Sequence, residues 1–508
     1  MEAPCIPSGL PSTAYGSDLL QAGSDFASID DGVVKHCIVN ARTTERIVVS
    51  DHPGCDDLWG PAALNSKGFD DILSMENVQR LCPGYAIEDV VSEVASKSVE
   101  EDPFYVVDLS TVIQKLADWK EMLPRVRPFY AVKCNGDPLV SNLLARAGCG
   151  FDCASKLEIE YALSLGVSPE RIVYANPCKQ TSMLRYARTH NVRMLTADNV
   201  EELHKVASVF PEAKVVVRIA VDDSKSVCRF NSKFGAPEHE WDLLLRTCAE
   251  LKLNLVGFSF HVGSGCGDLK PFADAVASAH DAFTAAKAYG FEPYILDCGG
   301  GFPGTDDGEF SFRDVAQTIS EAIEFHFPAA EGVEVIAEPG RYMVCASHTY
   351  AVSVIAKRQL SASHLADTAQ IESFGARPSK DDEGDAEDEE HAAGFGAGPT
   401  GTDEQGKVPE VALYINDGCY GSFNCVVFDH AEVHPRVLAS RGTATIPTKL
   451  FGPTCDSIDV VMGCTRLPDL QVGDWLYFCD MGAYTRCAAS TFNGQGTHTV
   501  HYVWTGMP

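Results

Sequence analysis

The chain has 508 residues, 45% of them hydrophobic, enough for two domains whose cores need no disulfide support. Its 71 acidic and 40 basic residues leave a formal charge of −31, which excludes a nucleic-acid partner, because phosphate backbones are gripped by basic patches. The 19 cysteines include no C-x-x-C pair, so no metal site is expected and a reducing compartment fits; no apolar run of about 18 residues offers a membrane span.

Residues 1–30, rich in Ser, Gly and Pro, read as a disordered extension. The first basic residue is Lys35, so neither a secretory nor a mitochondrial leader is expected and the cytoplasm is the expected location. The β-branched stretches VVKHCIV and ERIVV between Val33 and Val49 predict strands. Eight short apolar runs then recur: FYAVK (129–133), GFDCA (150–154), IVYAN (172–176), VRMLTA (192–197), KVVVRI (214–219), LVGFSFHV (255–262), YILDCGG (294–300) and VEVIAEPG (333–340). Segments such as DPLVSNLLARAG (137–148) between them carry apolar residues at helical spacing. Strands alternating with helices require parallel pairing, and eight units over 103–342 match a closed (β/α)8 TIM barrel; an open doubly wound sheet is the alternative.

Beyond Arg341 the pattern changes to β-branched runs with turn signals over 343–508: TYAVSVIA (349–356), VALYIN (411–416), CVVFDH (425–430), DVVMGC (459–464), DWLYFCD (474–480) and HTVHYVW (498–504). These predict an all-β C-terminal domain. Residues 361–409, with DDEGDAEDEE at 381–390 and a Gly-rich stretch after it, read as a disordered acidic insert.

The C-terminal ends of barrel strands line the active-site face. On this chain they carry Lys133, Asp152, Asn176, Arg218, His261, Gly299 to Gly301, Glu338 and Arg341. The combination suits pyridoxal 5'-phosphate, which needs an amine, a phosphate cradle and a group that tunes its ring nitrogen. Lys133, partly desolvated and so with a lowered pKa, supplies the amine. Gly299, Gly300 and Gly301 let backbone N–H groups approach a phosphate, with Arg341 adding charge. Glu338 is placed to hold the ring-nitrogen proton, and His261 to lie against the ring.

The motifs PFYAVKCN (128–135), FDCASKLEI (151–159), NPCK (176–179), HVGSGC (261–266), CGGGFPG (298–304), EPGRY (338–342), GSFNCVVFDH (421–430), GPTCDSID (452–459) and DMGAYT (480–485) closely resemble eukaryotic ornithine decarboxylases. The resemblance covers most of 103–508 and implies an alanine-racemase-like barrel followed by a β domain that also takes strands from residues 31–102. It implies decarboxylation of L-ornithine to putrescine by a homodimer with two shared active sites. Lys133 would then carry the cofactor, His261 stack on its ring and Glu338 meet the pyridine nitrogen. Ser264, Gly299, Gly300, Gly301, Arg341 and Tyr484 would bind the phosphate, with Asp152, Glu158 and Arg218 supporting ring and lysine. From the neighbouring subunit, Cys455 would govern reprotonation at the α-carbon. Asp456 would hold the distal amine of the substrate together with Asp429 and Tyr420, and Lys233 would pair with Asp459 across the dimer. An antizyme-like regulator is a further partner that the resemblance brings with it.

Two rival readings follow from the same residues. One is a cofactor-free regulator resembling antizyme inhibitor, against which Asp152, Arg218, Gly299 and Asp456 all stand. The other is the same chemistry on lysine, arginine or diaminopimelate; retention of Asp429 and of the short Asp456 carboxylate favours ornithine.

Overall fold

The computed structural model describes residues 69–361 and 401–506, apart from positions 76, 83, 307, 309, 439–441 and 497, together with the backbone of β1 (His36–Val39) and β2 (Arg46–Val49). These two strands pair antiparallel with His36 opposite Val49, where the β-branched stretches predict them. The extension expected over 1–30 and the acidic run at 381–390 lie outside the described residues.

After β3 (Val78–Arg80) and β4 (Phe104–Asp108) come β5 (Val126–Ala131), β6 (Gly150–Cys153), β7 (Ile172–Tyr174), β8 (Met194–Ala197) and β9 (Lys214–Arg218). The short β10 (Ser226–Cys228) is followed by β11 (Asn254–Ser259), β12 (Ser264–Cys266), β13 (Ile295–Asp297) and β14 (Glu334–Ala337). Strands β5 to β9 with β11, β13 and β14 close into one parallel barrel, while β10 and β12 pair antiparallel in a separate two-stranded sheet. Each of the eight apolar runs overlaps one barrel strand, which removes the open-sheet alternative. Side-chain caps start the helices between them. Asp137 accepts from Leu139 and Val140 N–H ahead of Pro138–Arg146, Asn199 accepts from Glu202 N–H, and Ser311 exchanges bonds with Asp314.

Period-two alternation sets the barrel interior. Phe129, Val173, Met194, Val216, Val256, Ile295 and Ile336 fill its middle as an apolar plug. Two residues further along their strands stand Ala131, Ala175, Thr196, Arg218, Asp297 and Glu338, so a polar layer overlies the plug on the C-terminal side. Gly150 leaves space for the Phe129 ring, which a Cβ there would meet at 2.4 Å, and Asp152 follows two residues later. A bulge between Leu255 and Gly257 resets β11, so that Ser259 pairs with Arg218 on one side and Asp297 on the other.

The second domain contains β15 (His348–Gln359), β16 (Val411–Ile415), β17 (Arg436–Val437), β18 (Ile446–Phe451), β19 (Val460–Leu467), β20 (Trp475–Phe478) and β21 (Thr499–Trp504). Its main path runs β19, β18, β16, β15, β4, β21, β3, with β20 pairing both β15 and β17. N-terminal strands are thus part of the C-terminal sheet. One expected strand is corrected: CVVFDH lies in a short helix, Asn424–Phe428. Asn424 Nδ2 donates to the Gly421 and Thr485 carbonyls, both at 2.6 Å, and Val427 and Phe428 are exposed, so their β-branched and aromatic character meets no sheet neighbour. The insert expected over 361–409 also ends earlier. Asp403 is buried and accepts from Lys407 N–H at 2.8 Å and from Arg466 Nη1 at 2.7 Å, which fixes residues 403–407 against β19.

The β domain grips the chain just after Lys133. Asn135 Nδ2 donates to the Gly482 carbonyl at 2.8 Å and lies 3.0 Å from His348 Nε2, and Tyr484 N–H donates to the Cys134 carbonyl at 3.1 Å. Burial lowers the His348 pKa to about 4. The folded value is then below the unfolded one, about 6.5, so the unfolded chain takes up the proton first and stability is lost as pH falls between these values, by up to about 3 kcal/mol. Urea unfolding at pH 7.5 and pH 4.5 is expected to show a smaller pH-dependent loss in His348→Gln than in the parent; equal losses would remove His348 as the cause.

Candidate active site

Lys133 stands in the single turn Val132–Cys134 that follows β5, over the polar layer of the barrel. Its Nζ pairs with the Asp152 carboxylate, which is 1% exposed. Burial alone works to lower the lysine pKa, but Asp152, Tyr484 and Glu338 outweigh it and the net shift is upward. The expected lowered pKa is therefore corrected: Lys133 is held as an ammonium ion, and acts as a nucleophile only after passing its proton on. Glu158 sits close by, accepting from Ala154 N–H at 2.5 Å and so pinning the chain just after Asp152; burial raises its pKa.

Glu338 and Asp297 form a buried pair of carboxyl groups. Burial, followed by repulsion from Asp152, pushes both upward, so the pair retains a proton near neutrality. Asp297 Oδ1 accepts from Gly299 N–H at 2.9 Å, and the Gly299 carbonyl accepts from Glu338 N–H at 2.6 Å. The carboxyl pair and the glycine loop are thereby one stitched unit. His261 is held neutral, its pKa driven well down by burial and then by Arg218 and Lys133. Its Nδ1 accepts from Gly263 N–H at 3.0 Å, and Phe230 meets the ring edge to face with centroids 4.9 Å apart.

At the rim, Gly299 and Gly301 have φ of 61° and 103°, and a Cβ on either would lie 2.1 Å from the Phe260 carbonyl or 2.4 Å from that of Gly263. Only bare backbone fits. Arg341 Nη2 donates to Ser264 Oγ at 3.1 Å and to both oxygens of Asp429 at 2.7 Å, and the guanidinium carbon lies 5.0 Å from the Tyr484 ring centroid. The structure therefore joins Arg341, Ser264 and Tyr484, expected on the cofactor phosphate, to Asp429, expected on the distal amine of the substrate.

A third group forms on the β domain. Tyr420 OH donates to Asp456 Oδ2 at 2.5 Å, and this bond holds the Asp456 carboxyl below its usual range. Cys455 is exposed, its N–H donating to Asn493 Oδ1 at 3.4 Å. None of the hydrogen bonds and ion pairs of these described residues reaches Lys133 or Glu338 within the chain. Asp459, expected to meet Lys233 of a second subunit, is 1% exposed and accepts from Cys419 N–H at 2.7 Å and Thr454 Oγ1 at 2.7 Å; its oxygens are used at home.

Thr196, Ser259 and Asp297 were missed as site residues. Thr196 lies inside β8, whereas Ser259 and Asp297 are the last residues of β11 and β13; a step of two from the apolar plug would have found Thr196 and Asp297, and the β11 bulge hides Ser259 from any such count. Among the described residues no group of three or more His, Cys, Asp or Glu is arranged to hold a metal ion, and no helix is long and apolar enough to cross a membrane. The donor set fits a phosphorylated aromatic aldehyde: a lysine amine over a carboxyl pair, a neutral imidazole, and a hydroxyl, a guanidinium and side-chain-free backbone for the phosphate.

Fold and site together define a barrel of the pyridoxal-phosphate-dependent decarboxylase family. Residues 109–345 match the pyridoxal-binding domain of pyridoxal-dependent decarboxylases. Ornithine decarboxylase of Mus pahari is 43% identical over 427 residues, 83% of this chain and 85% of that protein. Antizyme inhibitor 2 of Xenopus laevis is also 43% identical, over 82% of this chain and 84% of its own. Among solved structures, the arginine decarboxylase of Paramecium bursaria Chlorella virus superposes with a TM-score of 0.70 at 32% identity, covering 82% of this chain and all of that one. The chain belongs to the eukaryotic ornithine decarboxylase family, and its cofactor is pyridoxal phosphate.

Removing the carboxylate partner should free the lysine. In Asp152→Asn, labelling of Lys133 by an amine-selective reagent at pH 8, followed by mass spectrometry, is expected to be at least about tenfold faster, one pKa unit being tenfold in free amine. An unchanged rate would show that Asp152 does not hold the ammonium form.

Proposed function

We propose that the protein decarboxylates L-ornithine to putrescine and CO2 in shared active sites of a homodimer, with pyridoxal phosphate as cofactor. The observation that carries this reading is the placement of two carboxylates, Asp429 beside Arg341 and Asp456 beside Tyr420, each suited to a terminal ammonium group. Exposed apolar side chains flank both: Phe428 is 65% and Ile458 64% exposed, which supports a second subunit covering this face. Asp429 then meets the partner subunit's Asp456, and the distal amine of the substrate lies between them.

When bound, pyridoxal phosphate supplies an electron sink for the carbanion left by loss of CO2. Lys133 releases its proton to Asp152, the carboxylate at hand, and presents the free amine. Glu338 holds a proton at the ring nitrogen, and neutral His261 covers one ring face without adding charge. Ser264, Arg341, Tyr484 and the Gly299–Gly301 backbone anchor the phosphate. Cys455 of the partner subunit would donate the proton that takes the place of the lost carboxylate at the α-carbon, its thiol being reprotonated from solvent. A diamine-type substrate also suits the net negative charge of the protein, and one additional methylene costs such a site about 1–3 kcal/mol, so lysine is expected as a slower substrate.

The test is release of CO2 and amine from L-ornithine, L-lysine and L-arginine by the purified protein with added cofactor. Putrescine should predominate. Cofactor binding without turnover of any of the three would favour a regulator like antizyme inhibitor 2, and a different dominant amine would overturn the Asp429 and Asp456 assignment. Mixing inactive Lys133→Ala and Cys455→Ala subunits should restore up to about a quarter of the parent activity, because random exchange makes half the dimers hybrids with one complete site each. No recovery despite measured subunit exchange would exclude shared sites.

A further inference from the structure

Above the apolar plug lies a small space lined by Thr196, Arg218, Ser259, His261 and Glu338, with a volume of about 10 Å³. It is far too small for a substrate or a ring. It is the size that admits one water molecule, provided that two to four polar partners are present. Those partners stand around it. Thr196 Oγ1, Ser259 Oγ and Arg218 Nη2 are all buried without a hydrogen-bond partner in the protein, Thr196 at 2% and Ser259 at 5% exposure. Leaving a buried hydroxyl or guanidinium N–H unsatisfied forfeits its hydration with nothing in return, so three such groups converging on one water-sized space point to a ligand that satisfies all three. Their convergence is built into the strands: the β11 bulge sets Ser259 in register with Arg218, and Thr196 stands two residues beyond Met194 of the apolar plug.

We infer that this cavity is a site for a single ordered water, held by Thr196, Ser259 and Arg218, through which the Arg218 guanidinium is connected to the Glu338 carboxyl. Direct contact does not make that connection, since the hydrogen bonds and ion pairs of the described residues include none between Arg218 and Glu338. The water accepts from Arg218 Nη2 and donates toward Glu338, with the two hydroxyls completing its shell. Arg218 thereby favours the ionised form of Glu338 that pairs with a protonated ring nitrogen. Thr196 and Ser259 act as positioning residues, touching neither substrate nor cofactor. The site of the water rests on this structure alone, whereas its effect on the ring nitrogen rests on the proposed function.

Two experiments separate these parts. Crystals grown without and with pyridoxal phosphate are expected to show one water within hydrogen-bonding distance of Thr196 Oγ1, Ser259 Oγ and Arg218 Nη2 in both. An empty cavity, or hydroxyls bonded directly to the cofactor, would overturn the proposal. In the double variant Thr196→Val with Ser259→Ala, equilibrium dialysis should show cofactor binding weakened by about fivefold to tenfold, the equivalent of one lost hydrogen bond. The absorption of the bound cofactor should titrate at a shifted pH while the melting temperature stays that of the parent. Thr196→Ser, which keeps the hydroxyl, should bind and titrate as the parent does. Parent-like binding and titration in the double variant would exclude the connection. Water in cofactor-free crystals of a parent that bound no cofactor would support the site and overturn the decarboxylase reading instead.

Discussion

Among the described residues, three carboxyl groups, Asp152, Asp297 and Glu338, lie in the polar layer of one barrel close to two cations, Lys133 and Arg218. Full ionisation of all three would leave an uncompensated charge at low dielectric, which proteins avoid by shifting a pKa rather than by bearing the cost. The Glu338–Asp297 pair resolves the excess by keeping a proton. Asp152 remains free to hold Lys133 as an ammonium ion. The neutrality of His261 follows from the same balance, because a further cation beside Arg218 and Lys133 would be repelled. Reactivity at the lysine is in this way a property of the whole layer and not of one residue.

The backbone makes that layer possible. An apolar plug of β-branched and aromatic side chains fills the barrel to the level of Phe129 and Ile336 and keeps water from below. The β domain closes the junction from the other side, through Asn135, His348, Tyr484 and Gly482. Lys133 lies in the three-residue turn between these two contacts, so its position is fixed by both domains although its sequence belongs to one.

Much of this was legible in the sequence. Eight apolar runs at regular spacing gave the barrel because each strand is buried and continuous, and the residues ending those runs gave Lys133, Asp152, Arg218, His261 and Glu338. What stayed hidden has physical reasons. CVVFDH has strand composition but no sheet partner, and side-chain bonds from Asn424 bend it into a helix. IPTKLF carries Pro447 and Lys449, residues that argue against a strand, yet it pairs with both β16 and β19. Asp297 and Ser259 end their strands one or more residues before the polar groups the sequence singled out, and the β11 bulge shifts Ser259 out of a simple alternation. The raised pKa of Lys133 required the position of Asp152, which no linear reading supplies.

The bidentate contact between Arg341 and Asp429 has an evolutionary consequence. On the proposed reading, one residue anchors the phosphate and the other selects the substrate, yet they are each other's neighbours. A lineage that replaced Asp429 to accept a longer or differently charged amino acid would also release Arg341 and disturb the grip on the cofactor. Changes of substrate in this scaffold are therefore expected to arrive as paired substitutions, with compensation near Ser264 or Tyr484, and single replacements at Asp429 should rarely survive selection.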